Sequence, residues 1–117
     1  MGRGSFSNRG GGSGGGAVEI KDIENTALKT MMQDITMRMM GVGRYSNAMS
    51  VRDGKTLDKN TGVGDEFSHG PVTYRKATDG TWFEVGNNHT GIESDGMARI
   101  IAGLTNMPGT WKYKKKR

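Results

Sequence analysis

Gly64–Gly96 reads GDEFSHGPVTYRKATDGTWFEVGNNHTGIESDG, and the fold depends on how this stretch is paired. Asp79-Gly80 predicts a two-residue hairpin turn, because glycine tolerates the positive φ that such turns demand. Centring the turn there pairs Ala77 with Trp82, Lys76 with Phe83, Arg75 with Glu84 and Tyr74 with Val85. Arg75 then meets an opposite charge and Trp82 a small neighbour. In this register Val72, Tyr74, Phe83 and Val85 share the face expected to turn inward. Continued outward, it brings His69 and His89 towards each other.

Working outward, residues 22–40 read as the clearest helix. Ile20, Ile23, Ala27, Leu28, Met31, Met32, Ile35 and Met39 recur at three- and four-residue steps, with Asp22 as N-cap and Gly41 and Gly43 as the stop. Met31, Met32 and Met39 belong to that apolar face. Met37 and Met40 fall off it and are the candidates for partner contact, since methionine adapts its shape to varied surfaces. Residues 42–70 are polar, Gly-rich and aperiodic, and are expected to be a long loop with one short strand near Ala48–Val51. Beyond the hairpin, Ser94 is expected to cap a helix over about 95–104, whose stripe is Met97, Ile100, Ile101 and Leu104. Asn106 and Pro108 end it, and Thr110-Trp111-Lys112-Tyr113 alternates as an edge strand beside the hairpin, Trp111 and Tyr113 inward. The sequence therefore predicts an α+β fold: a small antiparallel sheet, made of the hairpin at about 72–85 plus the C-terminal strand, with two helices on one face.

The formal charge of +5 is concentrated at the ends. Residues 1–16 hold Arg3 and Arg9, and the seven residues from Trp111 hold five cations. The span 17–110 carries 10 basic and 12 acidic side chains, a net of −2, which argues against a basic body. Eight of the 20 glycines lie in 1–16, so this segment reads as a flexible arm and 17–113 as one small domain. The tail WKYKKKR offers Trp111, Lys112, Lys114, Lys115, Lys116 and Arg117 to a nucleic acid through stacking and phosphate charge. A solvated terminus with two sheet aromatics is the other reading, with 114–117 as a basic tail.

The absence of cysteine excludes disulfides, thiolate zinc sites and thiol nucleophiles. No apolar run is long enough to span a membrane. Gly41-Val42-Gly43-Arg44 lacks the context of a phosphate loop, and no nucleophile elbow occurs, so no enzyme is expected. His69 and His89 lie among Asp65, Glu66 and Glu93, a histidine–carboxylate set that suits one divalent ion such as zinc. Strict strand alternation sends the two histidines to opposite faces. The set closes only if Gly70-Pro71 and Gly86-Asn87-Asn88 break the pleat, and otherwise these are two surface histidines.

The opening MGRGS and the Gly/Ser run after it resemble the start of small accessory proteins of phages of Gram-positive bacteria, anti-CRISPR proteins among them. The resemblance covers about an eighth of the chain and carries no catalytic motif. It implies a non-enzymatic inhibitor in the host cytoplasm. Such a protein docks on a host defence complex, such as a CRISPR RNA-guided nuclease, and blocks nucleic-acid loading or cleavage. A nucleic-acid-binding protein using its basic ends, or a minor virion component, are the alternatives.

Overall fold

The computed structural model describes residues 18–42 and 44–116; the arm expected over 1–16 and Arg117 lie outside the described residues. The class is α+β, with three helices and one five-stranded mixed sheet. In chain order the elements are β1 (Val18–Asp22), α1 (Thr26–Val42), α2 (Asn47–Asn60), β2 (Glu66–His69), β3 (Val72–Lys76), β4 (Trp82–Glu84), α3 (Ser94–Thr105) and β5 (Gly109–Lys114). The strands lie in the order β1-β5-β2-β3-β4. β1 runs parallel to β5, and every other neighbouring pair is antiparallel.

The central stretch forms two successive hairpins instead of one. Gly70-Pro71, expected to be a break in a single leg, is itself a two-residue turn: His69 pairs with Val72, and Gly70 takes φ +60° at its first central position. The second turn has three residues. Ala77 N–H donates to Thr81 O and Gly80 N–H to Ala77 O, with Gly80 at φ +88°. That is a type I turn closed by a left-handed glycine. The extra loop residue moves the register by one, so Lys76 faces Trp82, Arg75 faces Phe83 and Tyr74 faces Glu84.

Because side chains alternate with a period of two, this slip turns β4 over. Trp82 enters the core, fully buried, whereas Phe83 takes the opposite face and Val85 is exposed. Arg75 meets Glu66 of β2, not Glu84. Gly80→Val is expected to lower stability by about 1–2 kcal/mol, the cost of a left-handed conformation for a residue with a Cβ. A urea titration checks it, and an unchanged midpoint would contradict the turn geometry.

The helix count also differs from expectation. α1 begins four residues later than predicted, since Val18–Asp22 is a strand; Ile20 and Ile23 still reach the core, from β1 and the link after it. Asn25 Oδ1, not Asp22, accepts from Leu28 N–H at 3.2 Å and satisfies an otherwise orphan donor of the first turn. The expected loop and short strand over 42–70 contain α2 and β2. Ser46 caps α2 by accepting from Met49 N–H at 3.2 Å.

α2 hides from hydropathy because its buried positions, Ser50, Asp53, Gly54 and Leu57, are mostly small or polar while still spaced i, i+3, i+4, i+7. Gly54 lets α3 approach: a Cβ there would stand 2.8 Å from Asp95 N and 2.9 Å from Ser94 C. α3 matches the prediction closely, although Glu93 rather than Ser94 occupies the N-cap and makes no side-chain cap bond.

β5 is an interior strand, not an edge, lying between β1 and β2. Trp111 and Tyr113 point inward as expected, and Trp111 is buried. The helices cover one side of the sheet. Met32, Ile35, Leu57, Met97 and Ile101 pack there with Phe67, Tyr74, Trp82 and Trp111. Among the described residues no helix lies on the other side, which presents Glu66, Arg75, Phe83, Lys112 and Lys114, the residues that alternate with the buried ones.

Candidate functional site

α1 and α2 pack antiparallel. Asn25 Nδ2 donates to Asn60 O at one end, and Arg38 Nη2 grips both oxygens of Asp53 at 3.1 and 3.0 Å at the other. Asp53 is buried and also accepts from the Tyr45 hydroxyl. Burial and the Asp53 carboxylate both push the Tyr45 phenol upward. Asp34 extends the network, bridging Arg38 at 3.0 Å and Arg52 at 2.7 Å. These charges hold two helices in register, because a buried carboxylate is tolerated only when paired and fully hydrogen-bonded.

Above this network the two helices leave an open groove of about 550 Å³. Met31, Met37 and Thr30 line it from α1, and Arg52 and Thr56 from α2. Met37 is 71% exposed and Met40, near the end of the same helix, 82%. Met31 and Met32 are buried and Met39 is partly buried against the core, as the helical spacing predicts. The division of the methionines into packed and free was thus legible in the sequence. The groove was not, since α2 was read as loop.

The five residues considered for a metal are dispersed. The convergence of His69 and His89 required an unbroken leg, and the chain reverses at Gly70-Pro71. His69 is buried on the helix side of β2, its ring 4.7 Å from Trp111 and packed on Gly109, where a Cβ would come within 2.5 Å of the imidazole. His89 is exposed in the loop after β4, its backbone oxygen accepting from Glu84 N–H. Glu66 is on the opposite sheet face, 2.5 Å from Arg75 Nη2, and Glu93 stands exposed at the start of α3.

Asp65 is saturated. Gly62 N–H donates to it at 2.8 Å, Lys116 N–H at 3.0 Å, and the Tyr113 hydroxyl completes the set. Burial by itself raises this carboxyl, but those three donors together with the charge of Lys115 outweigh it and hold the group below its ordinary range. Among the described residues, no group of three or more histidines and carboxylates is placed to hold a metal ion.

His69 does carry a pH signature. Burial pushes its pKa down, only partly countered by hydrogen bonding to the backbone of Met107 and of His69 itself, and Nε2 has no hydrogen-bond partner among the described residues. Below pH about 6.5 the unfolded chain takes up a proton that the folded chain resists, so stability falls as pH drops through that value towards the depressed one. The melting temperature is expected to fall between pH 7.5 and 5.5, and His69→Gln to flatten that fall. Parallel curves for the two proteins would exclude His69 as its source.

The basic segment is only in part a tail. Lys112 and Lys114 are fixed on the open face of β5, and the backbone of Lys116 is anchored on Asp65. Trp111 is 1% exposed, so it offers no ring to a base. Where β5 leaves the sheet, Arg75, Lys114, Lys115 and Lys116 surround a groove of about 620 Å³ with Glu24 and Glu66. Lys76, by contrast, is buried: Nζ donates to Asp58 at 2.8 Å and Thr61 O at 3.3 Å, tying β3 to the end of α2. No helix among the described residues is long and apolar enough to cross a membrane. No family model, curated protein or solved structure matches the chain.

Proposed function

We propose that this protein is a non-enzymatic inhibitor that binds a protein partner through the α1–α2 face. The carrying observation is Met37, 71% exposed and lining an open groove between two helices locked by the buried Arg38–Asp53 pair, with Met40, 82% exposed, one turn further along α1. Flexible thioethers on a rigid base give an adaptable apolar contact at low reorganisation cost. The polar rim, Asp34 and Arg52 among it, supplies orientation. The resemblance of the MGRGS opening to phage accessory proteins makes a host defence complex, an RNA-guided nuclease in particular, the partner class.

The test is inhibition of target cleavage by a purified RNA-guided nuclease, with the full chain and with Met37→Lys combined with Met40→Lys. The expected result is stoichiometric inhibition by the parent. The double variant should lose about tenfold or more in potency, since buried anchor residues cost over 1 kcal/mol when removed, while its melting temperature is unchanged. Equal potency of the two proteins would move the contact away from this face. Failure to bind or inhibit such nucleases would remove the partner class.

A further inference from the structure

We infer that the helix-free face of the sheet is a second binding surface, for single-stranded nucleic acid. Strand pairing sets Lys114, Glu66, Arg75 and Phe83 side by side across β5, β2, β3 and β4. The next row is Lys112, Ser68 and Thr73, with Val85 beyond them through its N–H to Thr73 O. The cations therefore gather towards β5, and an aromatic ring with an exposed apolar neighbour stands at the β4 side. Arg75 bridges the two halves, its guanidinium carbon 5.8 Å from the Phe83 ring centre and its side chain 43% exposed. Glu66 on this face is ion-paired with Arg75, and Asp22 of β1 is the register partner of Lys112 on β5.

At the end of β5 the surface continues into the groove where Arg75, Lys114, Lys115 and Lys116 outnumber Glu24 and Glu66. The Lys116 N–H bond to Asp65 fixes the chain there. A run of cations beside an aromatic platform is the arrangement that tracks a phosphate backbone while a base stacks. A sheet face with no protruding element favours a single strand over a duplex, because reading a major groove takes a protruding helix or two-stranded ribbon. An acidic peptide would satisfy the lysines but would leave Phe83 without a role.

This surface is carried by different elements from the α1–α2 groove, so it stands or falls independently of the inhibitor reading. The test is fluorescence anisotropy of a labelled oligothymidine of about 20 nucleotides, longer than the site of a single small domain, titrated with the full chain from about 50 to about 200 mM salt. Binding is expected to weaken about tenfold in Phe83→Ala, through lost stacking. Replacing Lys112 and Lys114 together by glutamine should reduce the salt slope by about 1.4, two single-strand phosphate contacts. Glu66→Gln should tighten binding, a gain that misfolding cannot imitate.

The inference is overturned if no anisotropy change occurs or if a duplex of the same length binds as tightly. It is equally overturned if Phe83→Ala and Glu66→Gln leave affinity unchanged while Lys115→Gln with Lys116→Gln abolishes it, which would reduce the interaction to the terminal cations. Displacement of the oligonucleotide by polyglutamate, together with indifference to Phe83→Ala, would assign the face to an acidic protein.

Discussion

Asp53→Ala is expected to lower stability by about 3–5 kcal/mol, the cost of breaking a buried ion pair from one side. The substitution removes both Asp53 oxygens that accept from Arg38 Nη2 and leaves the Tyr45 hydroxyl only the Met49 carbonyl, while the guanidinium, 17% exposed, loses its buried counter-charge. Asp34 remains within 3.0 Å but is half exposed and shared with Arg52. For a domain whose total stability is about 5–15 kcal/mol, this loss is a large share of the whole. Denaturant unfolding measures the loss. Combining Asp53→Leu with Arg38→Met should recover a large part of it, because the desolvation cost vanishes with both charges. A double variant no better than the single one would show that the two residues act through packing alone.

Gly54→Ala is the second large effect, with a sign opposite to that of helix propensity. In an exposed helix interior this change gains about 1 kcal/mol. At Gly54 the new methyl would meet backbone atoms of Ser94 and Asp95 at 2.8–2.9 Å, and backbone cannot rotate aside. The helices α2 and α3 must separate, at a cost of about 1–3 kcal/mol beyond the propensity gain. Gly103→Ala is the internal comparison: nothing lies within 4 Å of its Cβ position, so it should be neutral or stabilising. Thermal melts of the two variants should move in opposite directions. Equal shifts would mean that α2 and α3 have slack between them.

These two sites also show which parts of the fold were open to reading. α1 and α3 announce themselves because each buries a regular stripe of Ile, Leu and Met. α2 buries Ser50, Asp53, Gly54 and Leu57, so the inward face that stabilises it is almost invisible to hydropathy; Ser46 and the spacing of those four residues were the available signals. The turn at Asp79-Gly80 was found, but its length was not. Two- and three-residue hairpins both accept Asp-Gly, and the decision is made by whether Trp82 or Phe83 fills the core. A Pro after His69 was read as a disturbance in a leg when it ends a strand.

For the candidate surfaces the pattern is similar. Met37 and Met40 follow from helical phase alone and emerge exposed. The alternation of Trp111 and Tyr113 with Lys112 and Lys114 was also legible, but not the placement of that strand inside the sheet, since pairing partners far apart in sequence leave no local mark. Phe83 was assigned to the core through the register error, and that same error concealed the aromatic on the open face. The histidine pair was extrapolated along a single leg, whereas the chain reverses at Gly70-Pro71 and sets His69 at the end of β2 and His89 in the loop after β4.

The position of β5 sets an order of events during synthesis. Until residues 109–114 have been made, β1 has no partner strand, and β2, β3 and β4 form a separate three-stranded piece with the exposed edge of β2 where β5 will lie. β1 must therefore wait for a segment about 90 residues downstream, a closure that favours slow folding. Nascent chains paused before Gly109 are expected to be protease-sensitive and prone to edge pairing with one another. Arrival of the lysine-bearing strand then acts as the keystone that joins the two halves.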